Sequence, residues 1–172
     1  MKLAALAILC ALAAGGALMS LPPARESMSG GVVHDRTDHS APKAIVSREI
    51  TELSASFWLE GGDFPRGAWT LHASRDSSDT IALSVQGGVQ AQAFAEPALL
   101  SELQEVIERF GLVKRNGVDR VTSGLPPEYS PVSLKAEYAS GERLYFRTNG
   151  SPRAGWPEAL LEIFLREAGR KP

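Results

Sequence analysis

Cysteine is almost absent from this chain. Its 172 residues include a single cysteine, Cys10, so no disulfide can form within the chain. The common structural zinc sites use at least two cysteines, which excludes that class of metal site. We therefore expect no metal and no cofactor, and we expect packing alone to hold the fold together.

A basic surface stripe is also missing. The 18 Lys and Arg residues are balanced by 20 Asp and Glu residues, which gives a formal net charge of −2. These charges are interspersed, whereas proteins that bind nucleic acid usually gather their positive charge on one face. We therefore expect no nucleic acid among the partners.

Catalytic motifs are lacking as well, and we predict no catalytic residue. The chain has no Gly-x-Ser-x-Gly turn, and its folded part contains one histidine, His72. Asp76 and Asp79 follow His72 in the next predicted turn. A hydrolytic triad needs a serine, a histidine and an acid that converge. A small extracytoplasmic hydrolase that uses His72 is therefore an alternative, but the expectation leans against an enzyme.

The first 21 residues have the composition of an export signal. Lys2 supplies the positive charge, and Leu3 to Leu21 is an uncharged, largely apolar run. Small residues suit cleavage after Ala17. Two alternatives stay open: an uncleaved membrane anchor over residues 3–21, and lipidation at Cys10, which the preceding Leu9 disfavours. The chain is expected to be periplasmic or secreted, or else anchored through residues 3–21.

Polar and small residues dominate residues 22–44. Such a composition buries little apolar surface and predicts a disordered linker. His34 and His39 lie in it as a conceivable weak metal site, although a disordered pair of histidines is the favoured interpretation. A single domain is predicted over residues 45–172.

Two hydrophobic periods predict the fold of that domain. Apolar and polar residues alternate over 48–59, 69–74, 81–85 and 89–94, which indicates strands joined by short turns. Helical spacing predicts one helix from Pro97 to Gly111 and another from Pro157 to Gly169. Residues 132–147 form a hairpin between them. The expected class is α+β: an antiparallel sheet, with about four meander strands plus a C-terminal hairpin, and two amphipathic helices on one face. The other face of the sheet is expected to be exposed to solvent.

Three side chains are candidates for binding. Trp58 is out of phase with the apolar side of its strand, and His72 lies on the polar side of the next strand. Tyr145 belongs to the C-terminal hairpin, where it would border a shallow groove. Exposed aromatic residues often mark contact surfaces. Trp69 is expected in the core, and Trp156 is expected to pack where the last helix begins.

The C-terminal half carries a turn pattern with a family resemblance. Asn116-Gly117, Tyr138-Ala139-Ser140-Gly141-Glu142 and Asn149 before a helix resemble features of small exported bacterial proteins of unknown function. The resemblance covers roughly Ile50 to Ala168. It implies export and a single α+β domain, and it implies no activity, cofactor or site residue.

These observations together predict a non-enzymatic binding or interaction domain of the bacterial cell envelope. Its partner would be an unknown protein or a small polar ligand of the envelope. Contact with the membrane would occur only through an uncleaved N-terminal segment. A third alternative is an inhibitor of an exported enzyme, in which the loop from Pro126 to Pro131 inserts into the target.

Overall fold

The computed structural model describes residues 31–150 and 154–169. The expected signal peptide or anchor, its cleavage site and Cys10 lie outside the described residues, as do residues 22–30 of the expected linker. Within the described ranges, no helix has both the length and the apolar character needed to cross a membrane.

The described strands form one eight-stranded sheet. Their bounds are β1 Val33–Asp35, β2 Ile50–Leu59, β3 Gly67–Arg75, β4 Ile81–Gln86, β5 Gln90–Ala95, β6 Asp119–Thr122, β7 Pro131–Tyr138 and β8 Arg143–Asn149. The helices are α1 Ala98–Arg109 and α2 Trp156–Glu167, and short 3₁₀ turns cover Leu112–Arg115 and Pro127–Tyr129. The strand order is β1-β6-β8-β7-β2-β3-β4-β5. Neighbouring strands are antiparallel except β6 and β8, which are parallel.

The predicted class is confirmed: the described part of the chain is α+β, with a mostly antiparallel sheet and two helices. The sheet has two more strands than the sequence predicts, β1 and β6. They contain three and four residues. Runs this short are too brief to display a two-residue period, which is the signal that reveals a strand in a sequence.

One side of the sheet and both helices enclose the core. Along β2, Leu53, Ala55, Phe57 and Leu59 are at most 4% exposed, and the residues between them are half-buried. The helices add their apolar stripes: Leu99, Leu100, Leu103, Val106 and Ile107 from α1, and Leu160, Leu161, Phe164 and Leu165 from α2. The alternation along the strands therefore decides which side of the sheet the helices cover.

The helix ends follow local sequence. Pro97 precedes α1, and Gly111 lies just beyond it with a φ of 60°, a left-handed conformation that glycine adopts at low cost. Trp156 begins α2 and is 2% exposed. Its ring meets those of Phe57 and Phe146 edge to face, with centroids 5.8 Å away in both cases. The expected packing role of Trp156 is thus observed.

The segment 36–47, which we call the strap, lies against the β6 and β8 end of the sheet. Its backbone N–H groups at Arg36 and Asp38 donate to the carbonyls of Asp119 and Gly117, at 2.7 and 2.8 Å. Further along, two backbone N–H groups, those of Val46 and Ser47, donate to the Glu142 carboxylate at 2.9 Å each. The sequence places a linker over most of this segment and starts the domain at Ile45. The structure instead pairs Val33–Asp35 with β6 and holds the strap by backbone hydrogen bonds, which composition does not reveal.

Both asparagines bind backbone groups of other segments. The Asn116 side chain accepts from the Tyr145 N–H and donates to the carbonyls of Pro42 and Arg143. The left-handed residue of the Asn116-Gly117 turn is the glycine, whose φ is 81°. Asn116 itself is 4% exposed, so it joins the strap, the turn and β8 from a buried position.

Candidate functional site

The side of the sheet opposite the helices carries side chains in register across six strands. We call this side the open face. Its central row, read from β8 to β5, consists of Tyr145, Lys135, Ser54, His72, Ser84 and Gln92. One flanking row consists of Arg143, Glu137, Glu52, Ser74, Ala82 and Phe94. The other consists of Arg147, Ser133, Ser56, Thr70, Gln86 and Gln90.

His72 is half-buried near the middle of the central row. Its Nδ1 lies 3.0 Å from the Ser54 Oγ, and Ser84 is its cross-strand neighbour on the other side. The two aspartates that the sequence places near it serve the following turn instead. Asp76 accepts from Ser78 and Thr80, and Asp79 pairs with Arg75 at 3.3 Å. The Ser78 hydroxyl bond, followed by the backbone bonds, lowers the pKa of Asp76 below its ordinary value.

The Ser54 and His72 pair lies in the middle of paired strands. β2 is bonded to β7 and β3, and β3 is bonded to β2 and β4, so backbone N–H groups here are engaged in the sheet. Acyl transfer needs free donors aimed at the developing oxyanion, most often backbone N–H groups. The arrangement therefore offers a hydrogen-bonding surface and no oxyanion hole from the strands that carry the pair.

A shallow hollow lies beside His72. It measures about 480 Å³ and is bordered by His72, Ala82, Ser84, Gln92 and Phe94. Phe94 is 76% exposed, the largest exposure of any described aromatic residue, and it projects from an edge strand. Phe94 is not among the candidates that the sequence suggests. Its alternation with Ala93 and Ala95, which are partly buried, is the signal that places it on the open face.

The β7 and β8 side of the open face is charged. Lys135 Nζ lies 3.0 Å from Glu137 and 3.5 Å from Glu52. The hydrogen bond with Glu137 is the main cause that raises the pKa of Lys135 and lowers the pKa of Glu137. Arg143 adds a second positive charge at 3.7 Å from Glu137. These groups largely neutralise one another, so this side presents mixed charge.

Tyr145 is at one end of the central row and is 39% exposed. Burial is the main cause that raises its pKa, and Asp119 raises it further. Its ring also borders a hollow of about 430 Å³ between the strap and the β7–β8 hairpin, with Arg36, Asn116 and Arg143. Tyr145 thus contacts two surface features, the open face and the hollow under the strap.

The three candidates lie on the same face but not at one point. Adjacent strands are about 4.8 Å apart, so the three strand steps from β8 to β3 separate Tyr145 from His72 by about 14 Å. Trp58 is four residues along β2 from Ser54, or about 13 Å. Its indole Nε1 is buried without a hydrogen-bond partner. No two of the three candidates therefore lie side by side, and the polar neighbours of His72 in the row are Ser54 and Ser84.

Metal ligands do not gather in the described part of the chain. His34 and His39 are both exposed. Across residues 31–150 and 154–169, no group of three His, Cys, Asp or Glu side chains is placed to hold an ion.

Comparison of the chain with protein-family models, with curated proteins and with solved structures gives no match. The fold and the open face define the class in structural terms: an α+β domain whose helices cover one side of a sheet.

Proposed function

We propose that this chain is an exported, non-enzymatic binding domain of the bacterial cell envelope and that the open face is its contact surface. The observation that carries the proposal is the central row, an in-register series of hydrogen-bonding side chains across six strands. Both helices pack against the opposite side. The composition of residues 1–21, which is typical of an export signal, supports the proposed location.

The chemistry of the open face favours a polar partner. Around His72 the face presents the hydroxyl groups of Ser54 and Ser84 and the amide of Gln92, which donate and accept hydrogen bonds and carry no charge. Phe94 adds one apolar ring at the edge. Surfaces that combine an aromatic ring with uncharged polar groups suit a hydroxyl-rich or amide-rich ligand. We therefore propose a neutral polar component of the envelope as the ligand, either a small molecule or a protein surface.

A steric variant at the centre of the row tests this proposal. Ser84→Arg places a long side chain between His72 and Gln92 on the open face. Ser101→Arg is the matched control, because Ser101 is exposed on α1, away from the sheet. Co-sedimentation with envelope fractions measures binding. We expect Ser84→Arg to lose it and the control to retain it. Equal binding by both folded variants contradicts the proposal.

The contact between Ser54 and His72 favours one second candidate, a small hydrolase. A histidine at 3.0 Å from a hydroxyl is close enough to act as its base. A fluorophosphonate probe tests this alternative, because it labels activated serines covalently. Labelling that Ser54→Ala and His72→Ala both abolish would establish the hydrolase and refute the non-enzymatic proposal.

The inhibitor alternative depends on the Pro126–Pro131 loop. Its 3₁₀ turn exposes Tyr129, which is 41% accessible, and the Asn149 amide donates to the Tyr129 carbonyl at 2.9 Å. Tyr129→Ala removes the exposed ring without removing that backbone bond. Loss of inhibition of an exported enzyme by this variant would favour the inhibitor.

A further inference from the structure

The two edges of the sheet differ in how they are protected. At one edge β1 has three residues, and its Asp35 pairs with Arg120 of β6 at 3.6 Å. The opposite edge, β5, has the six-residue sequence Gln-Ala-Gln-Ala-Phe-Ala, without charge or proline. It also pairs with β4 without a register shift. Native edge strands are usually blocked by lysine, proline, a bulge or short length. β5 has none of these, so its outer backbone groups are able to pair with another strand.

We propose that β5 pairs antiparallel with β5 of a second copy of this chain, about a two-fold axis at Gln92. In this register Gln92 faces its own counterpart, and the two side-chain amides can bond to each other. Ala91 faces the counterpart of Ala93 on the helix side. Gln90 faces the counterpart of Phe94 on the open face, which covers part of that exposed ring.

Charge favours a second copy as the occupant. Charged residues make up 22% of the chain, yet none lies in β5. Like charges directly opposite each other destabilise a strand pair, and in two-fold pairing the residue at the axis faces its own copy in the second chain. A neutral strand is therefore the kind that tolerates self-pairing, and small alanines let the two backbones approach on the helix side.

The size of the contact sets the expected strength. Two short strands bury less than the roughly 1,200 Å² of a typical stable complex, so we expect a weak dimer that depends on concentration. The two eight-stranded sheets would join edge to edge with both open faces on the same side. This inference goes beyond the proposed function and does not depend on it.

Sedimentation equilibrium from micromolar to millimolar protein tests the dimer. Gln92→Lys places two positive charges opposite each other at the axis and should weaken association by about tenfold. Gln86→Lys is the matched control, because Gln86 is exposed on the same face of β4, one strand inward. We expect the control to associate like the unmodified chain. An unmodified chain that stays monomeric at millimolar concentration overturns the proposal.

Cross-linking tests the register in a Cys10→Ser background. Gln92→Cys should form a disulfide dimer under mild oxidation, since cross-strand neighbours lie within disulfide reach. Gln90→Cys lies on the same face but faces the counterpart of Phe94, so it should stay largely uncross-linked. Equal cross-linking of the two variants contradicts the pairing about Gln92.

Discussion

A comparison of Asn116 with Asn149 tests how burial changes the contribution of a hydrogen-bonded asparagine to the free energy of unfolding. Each is followed by glycine, and each makes three hydrogen bonds to backbone groups. They differ in exposure: Asn116 is 4% exposed, whereas Asn149 is only half-buried. Replacement of either by alanine removes the same chemistry. The difference in stability therefore reports the cost of leaving backbone groups unpaired away from water.

The magnitude follows from the groups left behind. Asn116→Ala deprives the Tyr145 N–H and the Arg143 carbonyl of their side-chain partner. Each buried, unsatisfied group costs about 1–3 kcal/mol, so we expect a loss of about 2–4 kcal/mol. Asn149 is itself half-buried, so water replaces its hydrogen bonds more readily, and the expected cost of Asn149→Ala is about 1 kcal/mol.

Urea denaturation measures both losses. At an m-value of about 2 kcal/mol/M, Asn116→Ala should lower the midpoint by about 1–2 M, and Asn149→Ala should lower it by about 0.5 M. Asn116→Asp keeps the acceptor for Tyr145 but removes the two donated bonds, so it should also destabilise strongly. Equal midpoints for the two alanine variants, at unchanged m-values, would refute the role of burial.

Three further predictions concern a buried phenol, the strap and a turn. Burial, reinforced by nearby acids, raises the pKa of Tyr138 to about 12. The stabilising contribution of the protonated phenol is therefore complete below about pH 10 and is lost as the pH rises through about 12. In an ultraviolet titration, Tyr138→Phe should remove the tyrosine that ionises at about pH 12. It should also cost about 1–2 kcal/mol, because Gln104 loses its donor. The strap N–H groups lower the pKa of Glu142 below its ordinary value. The Glu142 carboxylate should therefore hold the strap at pH values above the ordinary pKa of a glutamate and release it as the pH falls through the lowered pKa. Hydrogen exchange of the strap amides measures this release. Gly117 and Gly141 both have a φ of 81°, but of these two only Gly117 has atoms close enough to clash with an added Cβ. In urea denaturation, Gly117→Ala should therefore lose about 1–3 kcal/mol more stability than Gly141→Ala.

Each of these has a control or a contrary result. Tyr129→Phe should leave the ionisation at about pH 12 in place. An ultraviolet titration that Tyr138→Phe leaves unchanged would contradict the assignment of that ionisation to Tyr138. Glu142→Gln should make the protection factors of the strap amides independent of acid, and a loss of protection in acid that persists in this variant would point to another group. Gly141→Ala costing as much as Gly117→Ala would show that backbone strain alone decides the effect.

Much of the fold could be predicted from local sequence. The alternation in β2 and β3 and the helical spacing in α1 and α2 identify the buried side of each element, because side-chain direction repeats every two or about 3.6 residues. Pro97 and Gly111 mark the ends of α1 for equally local reasons. The polar sides of β2 and β3, and hence the presence of His72 and Ser54 on the open face, follow from the same periods.

The candidate site could be predicted only as a set of residues on one side of the sheet. Trp58, His72 and Tyr145 share that side, but their mutual distances depend on how many strands separate them. Strand order results from pairing between residues far apart in the chain, and no local period encodes it. Phe94 was missed because the exposure of a residue on an edge strand depends on which strand has no neighbour.

The sequence by itself therefore determined the α+β class, the two helices and the buried side of the strands that it predicts, since these depend on contacts within a few residues. Only the tertiary structure decided three further features: the parallel β6–β8 pair, the docking of the strap, and the position of β5 at an unprotected edge. The strap shows the physical reason most clearly. Its composition has too little apolar surface to indicate order. It is held by hydrogen bonds from the Asn116 amide and to the Glu142 carboxylate, which lie 74 to 96 residues further along the chain.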